Sequence, residues 1–218
     1  MNATRRILLI DFTNYEDFPI GGYLTFARNM MSSFGGDLAL VGITTSGDDP
    51  IGRWFKKTID GIEFDFFAMI RYRNNKTKKI IPDRLVNYLL VKYYKQKILS
   101  IGINNIFLQR QESLLAVHKS GKNVCYSFAG MDNPLVNSKY RYGSLLATWF
   151  ENRFFKKIGF AGTILGRGDN DAIRDMLARS NGALKGREVV KFPTRIDTSI
   201  FKPEPMIDAR LKLGLAKD

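Results

Sequence analysis

Short apolar runs alternate along this chain with longer stretches in which apolar residues recur every three or four positions. Ile7 to Ile10 is one such run, rich in branched side chains and ended by Asp11, as expected of a strand buried on both faces of a parallel sheet. Gly21-Gly22 then opens a stretch with Leu24, Phe26, Ala27, Met30 and Met31 at helical spacing, stopped by Gly35-Gly36. Leu38 to Ile43 and Ile62 to Met69 predict the next two strands. Beyond Pro82, the residues Leu85, Val86, Leu89, Leu90, Tyr93, Tyr94 and Ile98 fall at the spacing of one long amphipathic helix. The pattern continues as strand (Asn105 to Leu108), short helix (Glu112 to His118, ended by Gly121) and strand (Val124 to Phe128). It closes with a helix over Leu145 to Ile158, a strand over Phe160 to Leu165, a helix over Asp171 to Ala178 and a strand over Glu188 to Phe192.

Short strands alternating with helices imply a parallel sheet covered on both sides and joined by right-handed crossovers, a doubly wound, Rossmann-like α/β fold. No repeat, low-complexity tract or linker interrupts residues 1–192, which are expected to form one domain. Residues 193–218 are expected to form a hinge and the start of a second domain, since Pro193, Pro203 and Pro205 mark an extended connection. Within this tail, Leu211 to Leu215 is compatible with a helix end capped at Gly214.

With 218 residues, 44% of them hydrophobic, the chain can bury a core without disulfide or metal staples. Cys125 is the one cysteine and His118 the one histidine, so neither an internal disulfide, a multi-cysteine metal site nor a Ser-His-Asp triad is supported. Cys125 is expected to be a small buried strand residue and His118 a helix-terminal surface one. Arg5 and Arg6 precede Ile7 to Ile10 in the manner of a signal peptide, but Asp11 interrupts the apolar run too early. No stretch approaches the ~18 uncharged residues of a membrane span. The expected location is cytoplasmic, with the inner membrane face as a candidate peripheral site. A formal charge of +13, from 34 Lys and Arg against 21 Asp and Glu, predicts an anionic partner. Nucleic acid, anionic lipid and phosphorylated small molecules all qualify.

Ligands of open parallel sheets bind beyond the carboxyl ends of the strands, so the loops after each strand hold the candidate site. Gly21 and Gly22, followed by Tyr23, allow backbone N–H groups at a helix start to approach an anion or a sugar hydroxyl, or form a plain turn. Asp11 and Asn14 follow the first strand. Arg110, in Gln109-Arg110, is placed either to pair with a phosphate or to lie in solvent. Asp132, in Ser127-Phe128-Ala129-Gly130-Met131-Asp132-Asn133-Pro134, offers a carboxylate to hydroxyls or is a solvated turn residue. Arg167 is placed to reach a phosphate, and Asp169 or Asn170 to cap the next helix. Neither G-x-G-x-x-G nor G-x-x-x-x-G-K-[ST] follows the first strand, which disfavours dinucleotide and P-loop chemistry.

Between Arg71 and Lys97 the chain holds Arg71, Arg73, Lys76, Lys78, Lys79, Arg84, Lys92, Lys95 and Lys97 against Asp83 alone, interleaved with Tyr72, Tyr88, Tyr93 and Tyr94. Lys139 to Tyr142 with Trp149, Phe150, Arg153, Phe154, Phe155, Lys156 and Lys157 repeat the mixture. Such surfaces suit anionic lipid headgroups, or nucleic acid by phosphate contact and stacking. The alternative is rings in the core and lysines merely solvated. Because no nucleic-acid-binding motif accompanies the charge, a membrane surface ranks above a specific nucleic-acid partner.

The glycine pair, the strand-helix alternation and the segment Phe192-Pro193-Thr194-Arg195-Ile196-Asp197-Thr198-Ser199-Ile200-Phe201-Lys202-Pro203 together resemble the amino-terminal half of a group 1, glycogen-synthase-like glycosyltransferase of the GT-B fold. Pro193, Ile196, Asp197, Phe201 and Pro203 match that family's interdomain pattern, while Thr194 and Arg195 replace its usual Asn-Gly. The resemblance implies retaining sugar transfer from a nucleotide-diphosphate donor, with no cofactor and usually no catalytic metal. It implies an acceptor-binding domain here and a donor-binding domain, bearing paired glutamates, beyond residue 218. It assigns Gly21 and Gly22 to a loop that approaches donor phosphate and acceptor, and the acceptor to a glycan or lipid-linked class. The family's common histidine after the fifth strand has no counterpart in Ser127 to Gly130, and Asp132 is the substitute candidate for sugar contact. Another nucleotide-cofactor Rossmann enzyme and a basic nucleic-acid-binding module are the rival readings.

Overall fold

The computed structural model describes residues 6–72, 81–130, 143–192 and 204–215. In chain order the elements are β1 (Ile7–Ile10), α1 (Gly22–Phe34), β2 (Leu38–Thr44), β3 (Trp54–Ile59), β4 (Ile62–Arg71), α2 (Asp83–Leu99) and β5 (Asn105–Leu108). They continue with α3 (Gln111–Val117), β6 (Asn123–Phe128), α4 (Gly143–Lys157), β7 (Thr163–Gly166), α5 (Asn170–Arg179), β8 (Glu188–Lys191) and α6 (Met206–Lys212). All eight strands join one sheet in the order β3-β4-β2-β1-β5-β6-β7-β8. Every pairing is parallel except β3 with β4. The doubly wound α/β class is the one the alternation of strands and helices predicts.

β1 and β2, apolar but for Thr44 and Gly42 toward the end of β2, run through the middle of the sheet, where both faces are covered. Leu9, Leu38, Leu40 and Phe66 pack with Ala27, Met30 and Met31 of α1 on one face. On the other face, Leu8, Ile10, Val41 and Leu108 pack with Val91 and Ile98 of α2, Leu114 of α3, Phe154 of α4 and Met176 of α5. Among the described residues, one helix therefore covers the first face and four cover the second.

Several boundaries depart from the pattern reading. Trp54–Ile59 forms a strand that the periodicity did not single out, antiparallel to β4 through the two-residue turn Asp60-Gly61, where φ is 49° and 79°. Two consecutive positive φ values are what a tight hairpin requires. Ile158–Phe160 is a 3₁₀ turn rather than the start of a strand, so β7 begins at Thr163. Asp169, not Asn170, caps α5, its Oδ1 accepting the Ala172 N–H at 2.7 Å. Gly214, at φ 69°, ends α6 with the Leu215 N–H on the Arg210 carbonyl.

The largest departure is on α2. Val91 and Ile98, with Asn87, form its buried side, but Leu85, Leu89 and Tyr93 of the expected apolar stripe are exposed. Positions 85, 89 and 93 are spaced by four and lie opposite 87, 91 and 98 on a 3.6-residue helix. What the spacing presents as one stripe is two, one on each side of the helix.

Candidate functional site

The carboxyl ends of β1, β5, β6 and β7 are neighbours in the sheet, so the residues just past them share one rim. Asp11 follows β1 and is fully buried. Its Oδ1 accepts the Phe12 N–H at 2.6 Å and the Nε–H of Arg110, while Oδ2 accepts from Gln109 Nε2 at 3.1 Å. Arg110 and Gln109 follow β5, the strand beside β1. Burial by itself would lower the affinity of the Arg110 guanidinium for its proton, but Asp11 and Glu112 outweigh burial and hold it above its usual value. Arg110 therefore does not lie in solvent: its Nε–H is committed to an internal carboxylate.

The loop after Asp11 is organised by Asn14, whose Oδ1 accepts the N–H groups of Glu16, Asp17 and Phe18. Asn14 is fully buried and thus a loop-fixing residue. Tyr15 stands at φ 65° and drives its ring under the sheet edge, its hydroxyl donating to the Val41 carbonyl at 2.8 Å. The ring lies over Gly42, where a Cβ would sit 2.2 Å from the Thr13 carbonyl oxygen and 2.7 Å from the Tyr15 ring.

The loop delivers the chain to Gly21, at φ 152°, a conformation that favours glycine. Among the described residues no atom outside the local backbone lies within 4 Å of a Cβ built on Gly21 or Gly22. No side chain among them caps α1, and no acidic residue lies in its first turn. Its free N–H groups and positive dipole end are left available to an anion. Tyr23 comes next. Its carbonyl accepts from Gln109 Nε2 at 3.1 Å, and its ring is approached by two guanidinium groups, Arg110 at 4.6 Å and Arg167 at 5.9 Å.

Arg167 follows β7 and also stands over the Phe26 ring at 4.8 Å. Its backbone N–H is fixed to the Phe128 carbonyl at 2.9 Å. Burial lowers its proton affinity, with Tyr23, Tyr126 and Asp11 acting against that, and it remains a cation at neutral pH. Among the described residues no carboxylate pairs with it, and its Nε has no hydrogen-bond partner. Gln109 Oε1 and Ser127 Oγ, past β5 and at the end of β6, are also buried without a partner among the described residues. Among the described residues, three unpartnered polar atoms thus lie at the ends of three adjacent strands beside the glycine turn, which makes this rim the candidate site for a polar ligand.

A second polar seam joins α2 to α3 behind this rim. Glu112, nearly fully buried, accepts from Arg84 Nη1 at 3.2 Å and Asn87 Nδ2 at 3.3 Å, and Asn87 also reaches Ser113 Oγ at 3.0 Å. Sequence reasoning passed over Glu112 and Asn87. The one signal was a polar residue at position 87 inside an otherwise apolar helical pattern.

The remaining candidates are dispersed. Asp132, Arg73, Lys76, Lys78, Lys79, the stretch 139–142 and the segment 193–203 lie outside the described residues. Arg71 turns to the loop after β2, donating to the carbonyls of Ser46 at 2.9 Å and Asp49 at 3.0 Å, and so is engaged by the fold. Lys92 is exposed, and Lys95 is half-buried with its Nζ on the His118 carbonyl. Phe154 and Phe155 belong to the core, whereas Trp149 is exposed. Cys125 is half-buried rather than fully so, its thiol pushed up to about 11 by burial and by Glu188. It lines a groove of about 690 Å³ on the α1 side of the sheet, with Phe26, Met30, Phe107, Thr163 and Leu165. That groove extends toward the amino ends of β5 to β7, away from the rim. Among the described residues no cluster of His, Cys, Asp or Glu could hold a metal, and no helix is long and apolar enough to cross a membrane.

A predominantly parallel sheet with its polar rim at the strand ends defines a Rossmann-like domain. No protein-family model and no curated protein sequence matches the chain. Among solved structures, sucrose-phosphate synthase from Thermosynechococcus elongatus aligns with a TM-score of 0.60 at 13% identity, over 97% of this chain and 53% of that one. A trehalose-6-phosphate synthase aligns at 0.55 and 14% identity, over 96% and 55%. An α,α-trehalose-phosphate synthase (UDP-forming) from Burkholderia vietnamiensis aligns at 0.51 and 10% identity, over 96% and 51%. The chain spans about half the length of each of these structures. They are GT-B glycosyltransferases, and the fold of this chain is that of a Rossmann-like GT-B half, in keeping with the resemblance to an amino-terminal domain.

Proposed function

We propose that this chain is the acceptor-binding half of a retaining, hexosyl-type glycosyltransferase, with the nucleotide-diphosphate sugar held by a second lobe that faces the rim. The observation that supports this most directly is Arg167, a cation without a carboxylate partner among the described residues, held against Tyr23 and Phe26 beside the start of α1. As a glycosidic bond to a diphosphate breaks, negative charge develops on the leaving group. Fixed N–H dipoles and a guanidinium oriented beforehand stabilise that charge without reorganising. Gln109 Oε1 and Ser127 Oγ supply hydrogen-bonding atoms suited to acceptor hydroxyls. The acceptor class is a glycan or a lipid-linked sugar, used at the cytoplasmic face of a membrane, and Asp132 remains a candidate for sugar contact.

The test is a calorimetric titration of the chain and its Arg167→Gln variant with UDP-glucose, a hexose phosphate, NAD and a single-stranded oligonucleotide. Binding of a sugar ligand that Arg167→Gln weakens about tenfold or more supports the proposal, the range expected for a lost charged hydrogen bond. Saturable NAD binding without sugar-ligand binding would favour a different Rossmann enzyme. Oligonucleotide binding alone, falling steeply with salt, would favour a nucleic-acid module.

A further inference from the structure

Four helices, α2 to α5, cover one face of the sheet, and the outer sides of α2 and α4 are unusual for surfaces in water. Ile81 just before α2, Leu85, Leu89 and Tyr93 on α2, and Leu146 and Trp149 on α4 are 47% to 78% exposed. On α2 these residues form a continuous outward stripe directly opposite the buried one. Scattered apolar residues on a surface need no explanation, but a ladder at four-residue spacing does.

The charge beside this ladder is mostly positive, although Asp83 opens α2 and Arg84 is paired with Glu112. From Arg84 to Leu99, α2 holds Arg84, Lys92, Lys95 and Lys97 and no acidic residue. Arg153, Lys156 and Lys157 occupy the last turns of α4, whose one acid, Glu151, is paired with Arg179. Lys95, Lys119, Arg153 and Lys157 all lie close enough to His118 to act on its charge, so the far halves of α2 and α4 converge on one basic cluster. Cations also cover the rings: Lys92 lies 5.6 Å from the Tyr88 centroid, and Arg153 lies 5.5 Å from that of Trp149. Helices that return between parallel strands begin at the carboxyl rim. The apolar halves of α2 and α4 are therefore near the rim, and the basic halves are away from it.

We infer that the outer face of α2 and α4 docks onto an anionic lipid bilayer, with Leu85, Leu89, Tyr93 and Trp149 entering the interface and Lys92, Arg153 and Lys157 meeting headgroup phosphates. An interfacial helix needs this combination of aliphatic and aromatic side chains on its outer side with cations alongside. A second copy of the chain is a poorer occupant, since a two-fold interface sets each patch against itself and brings like charges together. A nucleic acid would use the cations and rings but gains nothing from exposed Leu85 and Leu89. The inference names the surface behind the membrane part of the reading above, and it stands whichever ligand the rim takes.

The experiment is co-sedimentation of the chain with phosphatidylcholine vesicles, with and without phosphatidylglycerol, alongside three variants. The first is the double substitution Leu85→Asp with Leu89→Asp, the second Lys92→Gln with Arg153→Gln, and the third Trp149→Phe. Binding to the anionic vesicles alone is expected, weakened about fivefold for each cation removed and at least about tenfold by the double aspartate. Tryptophan emission should shift to the blue with anionic vesicles and lose most of that shift in Trp149→Phe. Melting temperature and size-exclusion volume should stay unchanged, since these side chains face outward. Equal binding to neutral vesicles, no binding, or full binding by the double aspartate would overturn the inference. So would a dimer that the double aspartate dissociates. The ligand titrations at the rim read a different surface, so failure of either leaves the other standing.

Discussion

Asp11 and Arg110, 99 positions apart, form a buried ion pair that ties the end of β1 to the end of β5. Arg110 in turn lies against Tyr23, and Gln109 bonds both Asp11 and the Tyr23 carbonyl, so the pair fixes where α1 begins relative to the sheet. Asp11→Ala strands a buried guanidinium and should cost about 3–5 kcal/mol in urea unfolding. Adding Arg110→Met should recover part of that loss, because the second change removes the uncompensated charge. A double variant no more stable than Asp11→Ala would mean that the pair contributes through packing instead.

Two glycines separate folding from binding. Gly42→Ala forces a methyl against the Thr13 carbonyl and the Tyr15 ring, with an expected loss of about 1–3 kcal/mol or more in the same unfolding assay. Gly22→Ala meets open space at a helical position and should leave stability unchanged or raised by about 0.4–1 kcal/mol. Its methyl would stand where a ligand approaches the α1 N–H groups, so calorimetry should show weaker sugar-phosphate binding. An unstable Gly22→Ala protein would contradict the open geometry.

His118, the sole histidine, gives one imidazole signal in a proton NMR titration. Burial, and then Lys157, Lys119, Lys95 and Arg153, place its pKa below the usual value of about 6.5. The unfolded chain therefore takes up this proton first, and folded stability declines as pH falls through about 6.5, the loss being complete below the folded pKa. Lys157→Gln should move the titration upward, and His118→Gln should flatten that part of the stability profile.

At lower pH the slope should come from Asp49 and Asp65. Burial alone would raise both, but Lys57 and Thr44 outweigh it for Asp49, as Arg6 and Lys56 do for Asp65, so both carboxyls titrate below the usual range. The stabilisation they give is present above the unfolded value of about 3.9 and is lost as pH falls through the lower folded value. Urea midpoints measured across this window should fall less steeply in Asp49→Asn and Asp65→Asn.

Much of the site was visible in the chain as a set of positions. Gly21, Gly22, Tyr23, Gln109, Arg110 and Arg167 each follow a strand or open a helix, and Ser127 ends one; strand ends are where ligands bind in such sheets. What position could not give was occupancy. Arg110 and Arg167 look equivalent in sequence, yet Asp11 claims the first and no carboxylate among the described residues claims the second. The β3–β4 hairpin carried a local signal in Asp60-Gly61 that the periodicity reading left unused.

The sequence by itself determined the periods of most segments other than β3, and hence the layered α/β class, because side-chain repeat follows from local backbone geometry. It also determined the excess of positive charge. The tertiary structure decided that β5 lies beside β1, bringing Asp11 to Arg110 and leaving Arg167 without a carboxylate among the described residues near the start of α1. It also decided which of the two apolar stripes of α2 the sheet covers. Pairing between segments far apart in the chain depends on mutual packing, which no local spacing records.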